Sequence, residues 1–367
     1  VNYIARIEVA RERMAREGID LLVIGQPADR QYLSGFEAHD ASSVESAGWV
    51  VLGPSRGYFV TTFNFYEAVA STVPHLEPIR ATRGVTQALA ELLSGLPGNR
   101  IGFEADWVVF CLFEDLQQEL TGGKVLLPTS GLIEQQREVK ARDELATIRQ
   151  ALEITDRAYG DIVASLRVGQ TEREIAWRLE QRLRELGADG MAFGPSVAAG
   201  QHAAVPHHEP GDYATKLGDP VWIDMGARLG GYCADLTRSF ALGEPSAEYR
   251  ETWELVLRSQ ECAISGLRAG VTGREADAMA RDVLSAAGRG EEFGHSLGHG
   301  VGLQIHEAPL LGRRSDEKLR AGMVVTVEPG LYRPGWGGVR IEDCVLIEDT
   351  GNANLTRSPK TVAIQPV

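Results

Sequence analysis

The strongest constraint on this chain is that part of it repeats. "LRVGQTEREIAWRLEQRLRELG" at 166–187 aligns with "LRAGVTGREADAMARDVLSAAG" at 267–288. Each copy opens on a Gly-x-Thr turn and sets a glutamate three residues after the threonine, Thr171/Glu174 and Thr272/Glu275. That spacing is a capping box, in which hydroxyl and carboxylate satisfy the free amides of a new helix. Gly187 and Gly288 then stand where a left-handed C-cap belongs. Downstream, "GDPVWIDMG" (218–226) aligns with "GMVVTVEPG" (322–330), so Asp224 and Glu328 end equivalent strands. One capping box is common; a helix followed by an acid-ended strand, twice in the same order, is not. Two pseudo-equivalent α+β halves are expected to face each other, with function at their seam.

The first third reads differently, as alternating strands and helices. A helix over Ile7–Glu17 ends at Gly18 and leads into the apolar run "LLVIG". "GWVVLGPSRGYFVTT" holds two β-rich runs around a turn at 54–57, and "NRIGFEAD" is a further strand before a helix ending near Gly122-Gly123. The polar stretch at Arg137–Arg142 marks the boundary. The division is therefore 1–136, a smaller α/β domain, and 137–367, the domain with the repeat. At 367 residues the chain is long enough for both.

The acids of the repeat carry the chemistry. "VWIDMGARLGGYCADLTRSF" (221–240) reads as a hairpin turning near Leu229-Gly230, with Asp224 and Asp235 equally far from its tip. "VEPGLYRPGWGGVRIEDCVLI" (327–347) does the same, with Glu328 opposite Glu342. Opposed residues have Cβ atoms roughly 4.5–5.5 Å apart, where like charges are destabilising unless something positive lies between them. "HSLGHGVGLQIHE" (295–307) adds three of the chain's eight histidines. Its glycines make a poor helix and its spacing is not that of a plain strand, so a curved segment aiming imidazoles into one cavity fits best. Four carboxylates and a histidine form a mostly oxygen cage suited to one or two divalent ions such as manganese, cobalt, zinc or iron. Arg340 lies two residues before Glu342 and shares its strand face.

Composition removes several classes of function. The formal net charge of −14 makes the chain a poor partner for nucleic acid or an anionic membrane surface. No apolar run is long enough to cross a bilayer, and the N-terminal stretch reads as a charged amphipathic helix. Cys111, Cys233, Cys262 and Cys344 show no CxxC pairing, which points to a reducing, cytoplasmic setting.

The motifs "PHHEPGD", "IDMGARLGGYCADLTR", "GHGVGLQIHE", "TVEPGLY" and "GGVRIED" together resemble the creatinase/aminopeptidase P/prolidase family. The resemblance covers nearly the whole chain and is strongest over 200–345. It implies a pita-bread catalytic domain preceded by a creatinase-like N-terminal domain. Carried over residue by residue, it makes Asp224, Asp235, His299, Glu328 and Glu342 the ligands of a two-metal centre, none of them replaced. It gives His306 the developing oxyanion, His207 the substrate near the scissile bond, and His295 a place beside the pocket. Arg340 would orient the metal carboxylates, as a guanidinium fork can. His208, next to His207, has no assigned role and is read as structural.

The implied reaction is hydrolysis of the bond before proline in di- or oligopeptides, with Glu328 accepting and returning a proton. The ions would be manganese, cobalt or zinc. Dipeptidase action is preferred, with Arg314 of "APLLGRRSDEKLRAGM" as the reader of proline's free carboxylate. The alternatives are an aminopeptidase P on longer peptides, a small-amide hydrolase of the creatinase or ectoine hydrolase type, and a binding protein without chemistry. The resemblance further implies a homodimer, in which the loop "YLSGFEAHDASS" (32–43) would approach the partner's site. His39 in that loop is read as a solvated histidine in preference to a pocket residue.

Overall fold

The computed structural model describes residues 1–38, 40 and 42–367. The chain divides into two compact units, Val1–Arg137 and Glu138–Val367. His39 lies outside the described residues.

The first unit is built on a six-stranded mixed sheet. From edge to edge its strands are Glu77–Arg80, Gly57–Thr61, Trp49–Leu52, Leu21–Ile24, Arg100–Glu104 and Val125–Thr129. All four residues of "LLVI" are buried, as a central strand covered on both faces requires. Leu89 and Leu93 of helix Val85–Gly95, with Leu112 and Leu116 of Phe110–Glu119, pack onto Val23, Val51 and Ile101. The first helix runs Tyr3–Arg16, opening four residues earlier than its sequence suggests because Asn2 caps it, accepting from Ala5 N at 3.1 Å.

The second unit carries the repeat in three dimensions. Helices Arg142–Val163 and Glu172–Glu185 precede a sheet ordered Ser196–Ala199, Pro220–Met225, Leu236–Leu242, Ala363–Ile364. Helices Ala247–Gly266 and Gly273–Ala286 precede one ordered Glu307–Leu311, Gly298–Gly300, Val324–Val327, Asp343–Ile347, Asn352–Asn354. Both capping boxes form, each with the Thr amide donating to Glu at 2.8 Å and the Glu amide donating to Thr Oγ1 at 3.2 Å. Gly187 and Gly288 adopt positive φ, 102° and 76°.

The two hairpins differ in register. Val327 pairs with Asp343 and Gly330 with Arg340, one continuous register that sets Glu328 across from Glu342. In the first half Asp224 pairs instead with Thr237. Asp235 falls across from Gly226, two residues along from the expected opposition. The turn explains the shift: Leu229 pairs with Tyr232 around Gly230-Gly231, both at positive φ (54° and 82°), so the hairpin turns one residue later than expected. Asp224 and Asp235 thus approach as diagonal neighbours.

Candidate metal centre

The glycines among the histidines are answers to crowding. Strand Gly298–Gly300 lies between Val324–Val327 and Glu307–Leu311. A Cβ at 298 would meet the Thr326 carbonyl oxygen at 2.0 Å, and one at 300 the Ala308 carbonyl oxygen at 2.2 Å. Only bare backbone fits, and a register shift between His299 and Gly300 turns the imidazole out of the ladder. Its Nδ1–H donates to the Gly300 carbonyl at 3.1 Å. Nε2 is left facing Glu328 Oε1 at 3.4 Å and Asp235 Oδ2 at 3.7 Å. A lone pair aimed at two carboxylates requires a second ring proton or a cation between them.

The carboxylates themselves are short of positive charge. Asp235 and Glu342 are buried, and ligand atoms of Asp235, His299 and Glu342 lie within 4.8 Å of one another. Burial, then the neighbouring carboxylates, push the Asp235 and Glu342 carboxyls well above the usual range. Burial raises Asp224 as well, with Glu328 adding to it and Arg340 opposing. Glu328 falls the other way: burial raises it, but His299, with His295 and Arg340 behind it, outweighs burial and holds it below the ordinary value. Asp224 Oδ1 is buried with no hydrogen-bond partner.

Arg340 is the one Lys or Arg among the described residues lining this cavity. It donates to Asp224 Oδ2 at 2.6 Å, to the Tyr332 hydroxyl at 2.9 Å, and to Thr237 Oγ1 and the Pro206 carbonyl, each at 3.1 Å. The guanidinium is fully engaged and can balance one carboxylate of four. An orphaned carboxylate oxygen, an imidazole lone pair aimed at acids and a mixed O/N donor set fit divalent cations. The site's own residues therefore suit the ions that the motifs imply.

The structure gathers nearly every predicted residue around a cavity of about 540 Å³. His306 sets its ring edge-on to His299, centroids 4.4 Å apart, and burial lowers its pKa. His207 lies exposed on a turn and lines the same cavity. His295 donates from Nδ1 to the Ser296 carbonyl at 2.8 Å and faces the Tyr332 hydroxyl with Nε2 at 3.1 Å. Tyr332 therefore relays Arg340 to His295. Arg314 is not brought in: it is exposed on a turn and is not among the cavity's lining residues. Leu310, half of it exposed, lines the cavity instead.

Sequence reasoning missed Thr237 and Tyr332. Thr237 Oγ1 donates to Glu342 Oε2 at 2.7 Å and accepts from Arg340, joining the two halves. Its signal was present, since it lies two residues after Asp235 in "ADLTR". Tyr332 gives no such signal, because its role depends on a hydroxyl reaching two distant side chains. His208, read as structural, donates to Glu172 Oε2 at 2.8 Å.

Two buried and two half-buried acids sharing one arginine and one metal-ready imidazole define a divalent-cation enzyme centre, laid across a two-fold repeat. The chain belongs to Metallopeptidase family M24, which matches residues 146–349, while the Creatinase/Prolidase N-terminal domain matches residues 6–139. Its fold is accordingly the pita-bread fold with a creatinase-like domain ahead of it. It is similar to an Xaa-Pro dipeptidase from Bacillus anthracis, with 37% identity and a TM-score of 0.93 over 99% of both chains. It is also similar to an X-Pro aminopeptidase from Thermotoga maritima MSB8 (34% identity, TM-score 0.89, 97% of this chain and 99% of that one). In sequence it is 32% identical to an Xaa-Pro dipeptidase from Pyrococcus horikoshii, over 95% of this chain and 96% of the relative. No helix among the described residues is long and apolar enough to cross a membrane.

Proposed function

We propose that this metallopeptidase is a two-metal Xaa-Pro peptidase, acting first on Xaa-Pro dipeptides and second on longer Xaa-Pro peptides. The observation that carries the reading is the charge imbalance: Asp224, Asp235, Glu328 and Glu342 converge on His299 with one guanidinium to share. Those five residues would hold the ions, with manganese, cobalt or zinc matching the donor set. When bound, the ions would supply Lewis acidity toward the scissile carbonyl and an activated water.

The chain's own groups do the rest. Glu328, kept anionic beside His299, accepts the proton of the attacking water at its carboxylate. It then delivers that proton to the leaving nitrogen, which in an Xaa-Pro bond has none of its own. His306, neutral because burial lowers its pKa, keeps a ring N–H to donate to the oxygen that gains charge. His207 contacts the substrate near the scissile bond. His295 steadies the Tyr332 hydroxyl, that hydroxyl accepts from Arg340, and Arg340 holds Asp224 in the orientation the centre needs. Support for dipeptides comes from relatives named Xaa-Pro dipeptidase, and support for longer peptides from the relative named X-Pro aminopeptidase.

The same reading includes a homodimer, on the family resemblance, and a cytoplasmic setting, on four free cysteines. The test is hydrolysis of Xaa-Pro dipeptides, Xaa-Pro-Yaa peptides and creatine by protein loaded with each metal. Cleavage before proline with two ions per chain is expected. Turnover of creatine alone, or of nothing, would overturn the reading.

A further inference from the structure

A second histidine–carboxylate group lies beside the first and belongs to no step above. Glu172, the first residue of helix Glu172–Glu185, has a side chain with no exposed surface. No Lys or Arg partner is recorded for it among the described residues, yet both oxygens are saturated. Oε1 accepts from Ala199 N at 2.9 Å and His202 Nδ1 at 3.0 Å. Oε2 accepts from His208 Nε2 at 2.8 Å and Gly211 N at 3.0 Å. Burial raises this carboxyl, but the donors outweigh burial and hold it below the ordinary range. One carboxylate thus ties four points of a single segment, 199, 202, 208 and 211.

His207 is at the middle of that segment. On one side of it Pro206 gives its carbonyl to Arg340 at 3.1 Å. On the other, His208 is held at both ends, its ring by Glu172 and its carbonyl by the Ser196 hydroxyl. Ala203 is pinned from below, its carbonyl accepting from Trp222 Nε1 at 3.0 Å. The exposed imidazole of His207 therefore projects from backbone fixed immediately before and after it.

We propose that Glu172 is the positioning residue for His207, setting the substrate-facing turn through His202, His208 and the two amides. This rests on the peptidase reading, in which His207 contacts substrate. A metal held by Glu172, His202 and His208 is the competing account, since the three could furnish ligand atoms. It is disfavoured because both carboxylate oxygens already accept two hydrogen bonds each, and each imidazole spends on Glu172 the nitrogen that a metal would take.

The test combines Glu172→Gln, His207→Ala and the double variant in metal-loaded enzyme. Glu172→Gln turns one acceptor into a donor facing donors, so the turn loosens. kcat/KM should fall about ten- to hundredfold, the cost of a small misplacement of a reacting group. Bound metal should stay at two ions per chain. In the His207→Ala background Glu172→Gln should cost nothing further, because residues acting as a unit are non-additive. Losses that multiply, or wild-type kinetics in Glu172→Gln, would overturn the proposal, and so would a third ion that disappears with His202→Ala. If Glu172→Gln fails to fold, His208→Gln against His208→Leu decides. The glutamine keeps a donor near the ring nitrogen and should retain activity, whereas the leucine should lose it; equal activity in both overturns the proposal. Hydrogen exchange of the Ala199 and Gly211 amides reads the same clamp without substrate, and should quicken in Glu172→Gln. Wild-type cleavage of Xaa-Pro peptides in the same assays tests the peptidase reading separately.

Discussion

Two groups of acids and histidines, one around His299 and one joined to the same cavity through His208, solve opposite problems. Glu172 has as many donors as it can accept, four in all, and needs no cation. Around His299 four carboxylates share Arg340, and Asp224 Oδ1 has no donor at all. The first group is complete as folded and behaves as a clamp. The second is incomplete until positive charge arrives, which is why it can bind ions and do chemistry. Burial alone separates nothing here, since each group sets buried carboxylates among half-buried partners; the count of donors does.

The largest test of that contrast is removal of metal. Chelation should abolish hydrolysis, and manganese, cobalt or zinc should restore it, while the Glu172 clamp keeps its slow amide exchange. Full activity in protein shown to be metal-free would collapse the distinction. Next comes Glu328→Gln, which removes the proton acceptor and should lower kcat by about 10²–10⁴. Occupancy must be measured in the same samples. Near-normal turnover with both ions bound would assign the proton transfer to another group.

A smaller effect should appear in stability. Glu342 and Asp235 have raised carboxyl pKa values without metal, first from burial and then from neighbouring carboxylates, Glu328 beside Glu342 and Glu342 beside Asp235. The folded apoprotein therefore binds more protons than the unfolded chain above the ordinary carboxylate pKa of about 4, so its stability falls as pH rises through and beyond that value. Glu342→Gln should remove part of that fall and raise the apoprotein's melting midpoint near neutral pH. Each ~1 kcal/mol relieved corresponds to about 2–4 °C for a unit of this size. In metal-loaded protein the same substitution should lower the midpoint, because a ligand is lost. A matching sign in both forms would show that no cation is served by Glu342.

Much of this was legible in the chain. The capping boxes at Thr171 and Thr272 and the C-cap glycines are local signals, and local signals survive folding unchanged. The acids of the second hairpin were readable because its turn falls where the spacing places it. Those of the first were not, since two adjacent glycines, Gly230 and Gly231, take the turn and move it one residue beyond the place that equal spacing suggested. Tyr332 and Glu172 were hidden for a different reason. Each acts through a partner distant in sequence, His295 for one, His202 and His208 for the other.

Arg314 provides the smallest expected effect and the sharpest limit on reading sequence by analogy. A guanidinium that paired with proline's free carboxylate would contribute about 1.5–3 kcal/mol, roughly one to two powers of ten in kcat/KM. The loss would be confined to dipeptides, because a longer substrate offers an amide at that position. The structure sets Arg314 on an exposed turn, while Leu310, from the strand just before it, lines the cavity. Exposed charges usually contribute ~0–1 kcal/mol, so Arg314→Ala should change kcat/KM by less than about fivefold on either substrate. Discrimination by proline's carboxylate would then have to be sought elsewhere, and comparing Xaa-Pro with Xaa-Pro-amide would measure it directly. A tenfold loss on dipeptides alone would return Arg314 to the site and require the 312–315 turn to move when substrate binds.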